Sequence, residues 1–124
     1  MGSSAVAPSP RCRIGSPGVA ADRLGPIDIA FNNAGIFGRM CAFDSYDDNA
    51  WEEIIAMNLS SVFRCMRAEI TAMLASNGEV IVNNASTVGH RGSDRASPAY
   101  VAAKHGVIGL TRQAALEYRP RDPG

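Results

Sequence analysis

Tyr100 and Lys104 lie four residues apart in Tyr100-Val101-Ala102-Ala103-Lys104, a spacing that stacks them one turn apart on one face of a helix. A phenol ionises near pH 10, so about one molecule in a thousand is charged at neutrality, and acid/base work near pH 7 takes roughly 4 kcal/mol of assistance. One cation about 4 Å away supplies an amount of that order at an effective dielectric near 20. Lys104 is placed to be that cation and to lower the pKa of the phenol. Ser86, at the mouth of an expected strand, is placed to donate a hydrogen bond to a substrate oxygen and hold it beside the tyrosine. Three such side chains would polarise a carbonyl, or take the proton from an alcohol, while a hydride moves.

Each residue also has a plainer reading. Tyr100 alone reads as a half-buried core aromatic with its hydroxyl at the surface. Lys104 alone reads as a solvated helix lysine, and Ser86 as a turn or cap residue. Asn32 and Asn33 read as strand-end turn formers, because Asn tolerates left-handed backbone. Asn58 is harder to dismiss: its amide competes for backbone groups inside a helix, so Met57-Asn58-Leu59 predicts a local kink or a bound water. His90 and His105 lack a metal-ligand pattern. Ser86, His90 and Asp94 lack the Gly-x-Ser-x-Gly elbow of a hydrolase.

The elements that must position these residues follow from patterning. Ile27-Asp28-Ile29-Ala30-Phe31 follows Gly25-Pro26, ends at Asn32-Asn33-Ala34-Gly35, and predicts a buried strand and a turn. Residues 36–48 read as a loop. Asp47 or Asp48 is positioned to cap a largely covered helix that includes Trp51 and runs towards Ala75, with Asn77-Gly78 as its left-handed end. Glu79-Val80-Ile81-Val82-Asn83-Asn84 predicts a second buried strand, and residues 85–97 a polar loop. Pro98 opens a second helix at its first turn, with Ser97 as cap; it holds Tyr100 and Lys104 and stops before Pro120. Strand, helix, strand, helix at these lengths argues for parallel βαβ units in an α/β fold.

The 124 residues suffice for one small domain, and the formal net charge is zero. Balanced charge gives no reason to expect nucleic acid or an acidic membrane surface as partner, and the apolar runs are too short to span a bilayer. Cys12, Cys41 and Cys65 make an odd count without a Cys-x-x-Cys spacing. They read as free thiols in a reducing, cytoplasmic compartment, with no metal site indicated. Residues 1–18 are rich in Ser, Pro, Gly and Ala, with Arg11 and Arg13 and no acid. Prolines at 8, 10 and 17 work against an amphipathic transit helix, and Val6 stands where a myristoylation signal needs Ser or Thr. The segment reads as a disordered leader or an artefact of the gene model. Residues 19–119 form the expected domain and residues 120–124 a short tail.

Taken together the chain resembles the short-chain dehydrogenase/reductase family. The resemblance is carried by Gly25-Pro26-Ile27-Asp28 through Asn32-Asn33-Ala34-Gly35, Asn58-Leu59, Val80-Ile81-Val82-Asn83 leading to Ala85-Ser86, Tyr100 to Lys104, and Gly106-Val107-Ile108-Gly109-Leu110-Thr111. It covers roughly residues 19–119, in family order and near family spacing. The resemblance implies a partial Rossmann-type parallel sheet and NAD(P)-dependent interconversion of a small-molecule alcohol and its carbonyl compound. It implies Tyr100 as acid/base, Ser86 as the residue that orients and polarises substrate, Lys104 as the group that lowers the tyrosine pKa and binds the nicotinamide ribose, and Asn58 as the holder of a water in a proton relay to Lys104. It places Asn32, Ala34 and Gly35 at the adenosine side of a cleft for NAD or NADP, bracing the central strands, and it implies pairing of two copies through helices 50–75 and 98–117.

Two departures stand out. Ala85 occupies a position where many members have a second serine. More consequentially, nothing matches the family's opening strand and Gly-x-x-x-Gly-x-Gly turn, whose amides hold a pyrophosphate, and the chain stops at Pro123-Gly124, before the next family strand. The alternative expectation is therefore a non-catalytic fragment, whether a truncated gene, a misread frame or a helix-pairing partner of a full subunit.

Overall fold

The computed structural model describes residues 25–76 and 80–120. The leader expected over residues 1–18, the Asn77-Gly78 cap and Glu79 lie outside the described residues. Strand β1 (Ile29–Asn32) is followed by a 3-10 turn (Phe43–Ser45), helix α1 (Asp48–Ile55), a π-helical turn (Ala56–Ser60) and helix α2 (Ser61–Leu74). Strand β2 (Val80–Asn83), a second 3-10 turn (Thr87–Gly89) and helix α3 (Pro98–Glu117) complete the order. The strands are parallel, with Ile29 opposite Val80 and Asn32 opposite Asn83. This is the expected βαβ connection, each strand running two residues or fewer from its predicted bounds.

The helix starts are set by the expected caps. The Asp47 carboxylate accepts from the Ala50 N–H at 3.1 Å, and the Ser97 hydroxyl accepts from the Tyr100 N–H at 3.2 Å, one residue before Pro98 at the first helical position. The first long helix is interrupted where Asn58 predicted a kink. The Ser61 N–H bonds the carbonyl of Ala56, five residues back, and the Ser61 hydroxyl caps the carbonyl of Met57 at 2.6 Å. A π turn skips one carbonyl in the ladder, and here a side chain takes the place of the missing amide.

Both strands alternate. Ala30 and Asn32 of β1 point inward, as do Ile81 and Asn83 of β2 to a lesser degree, while Ile29, Phe31, Val80 and Val82 are exposed. The strands expected to be buried are covered on one face only: α2 and α3 lie on one face of a two-stranded sheet, and period-two geometry turns every second side chain outward. Coverage of the long helix is likewise one-sided, with Trp51, Phe63 and Leu74 exposed. The core sits between the helices and the inner sheet face, where Val62, Met66 and Val107 meet Leu59, Ile70, Ile81 and Leu110. Cys41 is free and exposed, but Cys65 is disulfide-bonded, which corrects the expectation of unpaired thiols. Disulfide pairing follows spatial approach of the sulfurs, on which the absence of a Cys-x-x-Cys spacing is silent. No helix among the described residues is long and apolar enough to cross a membrane.

Candidate active site

The parallel register sets Asn32-Asn33 beside Asn83-Asn84 at the carboxyl ends of the strands. The Asn84 N–H donates to the Asn32 carbonyl at 2.8 Å. The side chains repeat the pairing, Asn32 Nδ2 donating to Asn83 Oδ1 at 2.9 Å and Asn84 Nδ2 to Asn33 Oδ1 at 2.6 Å. These contacts fix the carbonyl of Asn84, which accepts from Lys104 Nζ at 3.2 Å.

Lys104 is not the solvated lysine of the plainer reading. It is 6% exposed, and burial holds its ammonium below the ordinary lysine range. It carries three donors, of which the Asn84 carbonyl takes one. Its Nζ lies 5.5 Å from the centre of the Tyr100 ring, so phenol and ammonium share one side of α3 as the four-residue spacing requires. Phe37 stands on that side too, its ring centre 4.7 Å from that of Tyr100 at an interplanar angle of 47°, a tilted aromatic contact. Nothing in the sequence around Phe37 singled it out.

Asn58 is fully buried and grips the backbone at Ile36 with both ends of its amide: Oδ1 accepts from the Ile36 N–H at 3.0 Å, and Nδ2 donates to the Ile36 carbonyl at 2.7 Å and to the Ile54 carbonyl at 3.0 Å. Both amide hydrogens are spent. The grip leaves no room at Gly35, where a Cβ would come within 2.6 Å of Asn58 Oδ1 and 3.8 Å of Lys104 Nζ. A glycine is needed there for close approach, and through it the Asn32–Gly35 turn, the π turn and Lys104 converge. Ala34 is half-buried and Gly35 exposed beside it, whereas the Asn32 side chain is turned into the strand-bracing network.

Ser86 caps the second 3-10 turn, its hydroxyl accepting from the Val88 N–H at 3.4 Å. The cap uses a lone pair and leaves the hydroxyl hydrogen free to donate. The same turn is seated on α3 at Gly89, where a Cβ would lie 2.9 Å from the Lys104 carbonyl oxygen and 2.5 Å from Ile108 Cδ1. Ser86 therefore rides on a loop locked to the helix that carries Tyr100 and Lys104.

One buried ionisable group escaped the sequence reading. Glu69 is 3% exposed, and its Oε2 accepts from Asn32 Nδ2 at 2.9 Å. Burial pushes its carboxyl above the ordinary range, and the Asn32 bond offsets part of that rise. A signal was present: Val62, Met66, Glu69 and Met73 follow the three-and-four spacing of an inward helix stripe, and an acid on such a stripe must find a partner.

The sequence profile of the family described as short chain dehydrogenase matches residues 18–122. Cyclohexanol dehydrogenase of Acinetobacter sp. (strain SE19) is 46% identical over 99 residues, covering 80% of this chain and 39% of that protein. A 3beta-hydroxysteroid dehydrogenase of Mediterraneibacter gnavus is 43% identical over 97 residues, 78% of this chain and 34% of the relative. Among solved structures, levodione reductase superposes with a TM-score of 0.81 at 36% identity, covering 85% of this chain and 40% of that one. An actinorhodin polyketide ketoreductase variant with NADPH gives 0.77 at 37% identity, with 84% and 40% covered. The chain thus spans about two fifths of the length of these relatives, and the likeness shows a Rossmann-type α/β fold.

Proposed function

Since this chain belongs to the short-chain dehydrogenase family, we propose that Ser86, Tyr100 and Lys104 are the acid/base site of an NAD(P)-dependent oxidoreductase acting on a small-molecule alcohol or carbonyl compound. The observation that carries the reading is the buried ammonium of Lys104, tied to the Asn84 carbonyl and set 5.5 Å from the Tyr100 ring. In the direction of reduction the Tyr100 hydroxyl gives its proton to the carbonyl oxygen; in the direction of oxidation it takes the proton from the alcohol. The Ser86 hydroxyl donates to the same oxygen and sets its angle. The Lys104 ammonium stabilises negative charge on the tyrosine oxygen while the proton is away.

A bound nicotinamide dinucleotide supplies or accepts the hydride. The donor set fits part of such a group: two ammonium donors of Lys104 are left for ribose hydroxyls, beside the Gly35 turn that Asn58 grips. Asn32, Ala34 and Gly35 are the residues we assign to the adenosine side of that cleft, with Asn32 acting as a brace. The described strand ends contain no glycine-rich turn for the pyrophosphate. Asn58 is assigned to the proton relay through the backbone around its π turn, since its amide hydrogens are committed to Ile36 and Ile54.

Titration of the purified chain with NADH and NADPH, followed by cofactor fluorescence, tests this reading. Enhancement saturating on the order of micromolar to submillimolar is the expected result, and a flat signal through that range would overturn it. The second reading, a non-catalytic chain that pairs through residues 50–75 and 98–117, is favoured by the exposed Trp51, Phe63 and Leu116 on those helices.

A further inference from the structure

We propose that Glu69 is a positioning residue for the Lys104 ammonium, acting from α2 through Asn32 and Asn84. The path is continuous. Glu69 Oε2 accepts from Asn32 Nδ2 at 2.9 Å, the Asn32 carbonyl accepts from the Asn84 N–H at 2.8 Å, and the Asn84 carbonyl accepts from Lys104 Nζ at 3.2 Å. A branch ties the same hub to α3, with Asn32 Nδ2 donating to Asn83 Oδ1 and Asn83 Nδ2 donating to Thr111 Oγ1 at 3.0 Å and approaching Met66 Sδ at 3.3 Å. Thr111 closes the branch by donating to the Val107 carbonyl at 2.7 Å. The two helices are thereby joined across the strand ends by side-chain amides.

A carboxyl in this position has a cost. Burying it on the inward stripe among Val62, Met66 and Met73 is unfavourable, and an apolar residue would pack there without penalty. What the carboxyl adds is a second acceptor of fixed direction for Asn32 Nδ2, beside Asn83 Oδ1, so that both amide hydrogens are held and the rotamer is fixed from two sides. With the rotamer fixed, Asn32 and Asn83 lock the two strand ends in register. The Asn84 carbonyl then faces Lys104 at hydrogen-bond distance. Loss of the acceptor frees the hub, loosens the strand ends and lets water reach the ammonium.

The inference rests on Lys104 being the ammonium of the proposed site, but its readout is the ammonium itself, so a chain that binds no cofactor still decides it. Lys104 is the single lysine of the sequence, and its 13Cε and 15Nζ resonances are free of overlap. In the full chain, Glu69→Leu is expected to move the titration midpoint of Lys104 up towards the ordinary lysine range by about half a pH unit or more, while Glu69→Gln, which keeps an acceptor for Asn32 and removes only the charge, does not raise it. A folded Glu69→Leu chain with an unmoved midpoint, or equal shifts in both variants, would overturn the proposal. Should Glu69→Leu fail to fold, the wild type answers alone. As Glu69 is titrated, the Asn32 Nδ2, Asn84 amide and Lys104 13Cε signals are expected to move with its midpoint, and Asn84 and Lys104 signals that stay flat reject the path.

Discussion

Among the described residues, two ionisable side chains lie in the interior, Lys104 at the site and Glu69 behind it, and both titrate away from their ordinary ranges because burial disfavours the charged form. The signs differ. The Glu69 carboxyl holds its proton to higher pH in the folded chain than in the unfolded one, so its favourable contribution is complete below the ordinary value of 4.5 and is lost as pH rises through the folded value. Lys104 gives up its proton at lower pH when folded, so its contribution becomes more favourable as pH rises through the folded value towards 10.5. Urea unfolding from pH 4.5 upward should therefore show wild-type stability falling relative to Glu69→Gln over the range in which Glu69 titrates; parallel curves would contradict this. The Tyr100–Lys104 pairing was legible because a helix converts a four-residue spacing into a shared face whatever the tertiary context. Glu69 was not, because an acid in an amphipathic helix is ordinarily solvated, and only the positions of Val62, Met66 and Met73 around it mark the stripe as inward.

At the scale of elements, caps and interruptions were readable, and which face of each element is covered was not. Asp47, Ser97 and Pro98 act locally, through backbone groups one turn away, and each does what its residue type predicts. Asn58 likewise announced a break in its helix, and the π turn is that break. The one-sided burial of β1 and β2 depends on how many helices and strands surround them, which a run such as Val80-Ile81-Val82 does not encode. The grip of Asn58 also sets what its replacement should cost. Asn58→Ala leaves the Ile36 N–H and carbonyl and the Ile54 carbonyl without their side-chain partner. Buried groups left unpaired cost about 1–3 kcal/mol each when water cannot reach them. A loss of about 2–4 kcal/mol in chemical denaturation is expected, with helical circular dichroism retained below the transition; a loss under about 0.5 kcal/mol would show that the grip on Ile36 contributes little.

At the scale of the molecule, the described residues present apolar surface on two sides. Ile29, Phe31, Val80 and Val82 face outward from the sheet, and Trp51, Phe63 and Leu116 from the helices; patches of this kind mark contact surfaces or aggregation hazards. Pairing through residues 50–75 and 98–117 predicts a dimer in size-exclusion chromatography that Phe63→Glu converts to monomer, and a clean wild-type monomer with intact helical circular dichroism would contradict the pairing. Such association bears on activity, because the chain matches about two fifths of its relatives' length, and the site must be judged by whether it turns over. The direct measurement is oxidation of NADH or NADPH in the presence of a ketone, for the wild type and Tyr100→Phe side by side. The account predicts wild-type turnover that falls by about 10²–10⁴-fold when the phenolic oxygen is removed; turnover that survives the substitution, or a wild type that shows none, would contradict it.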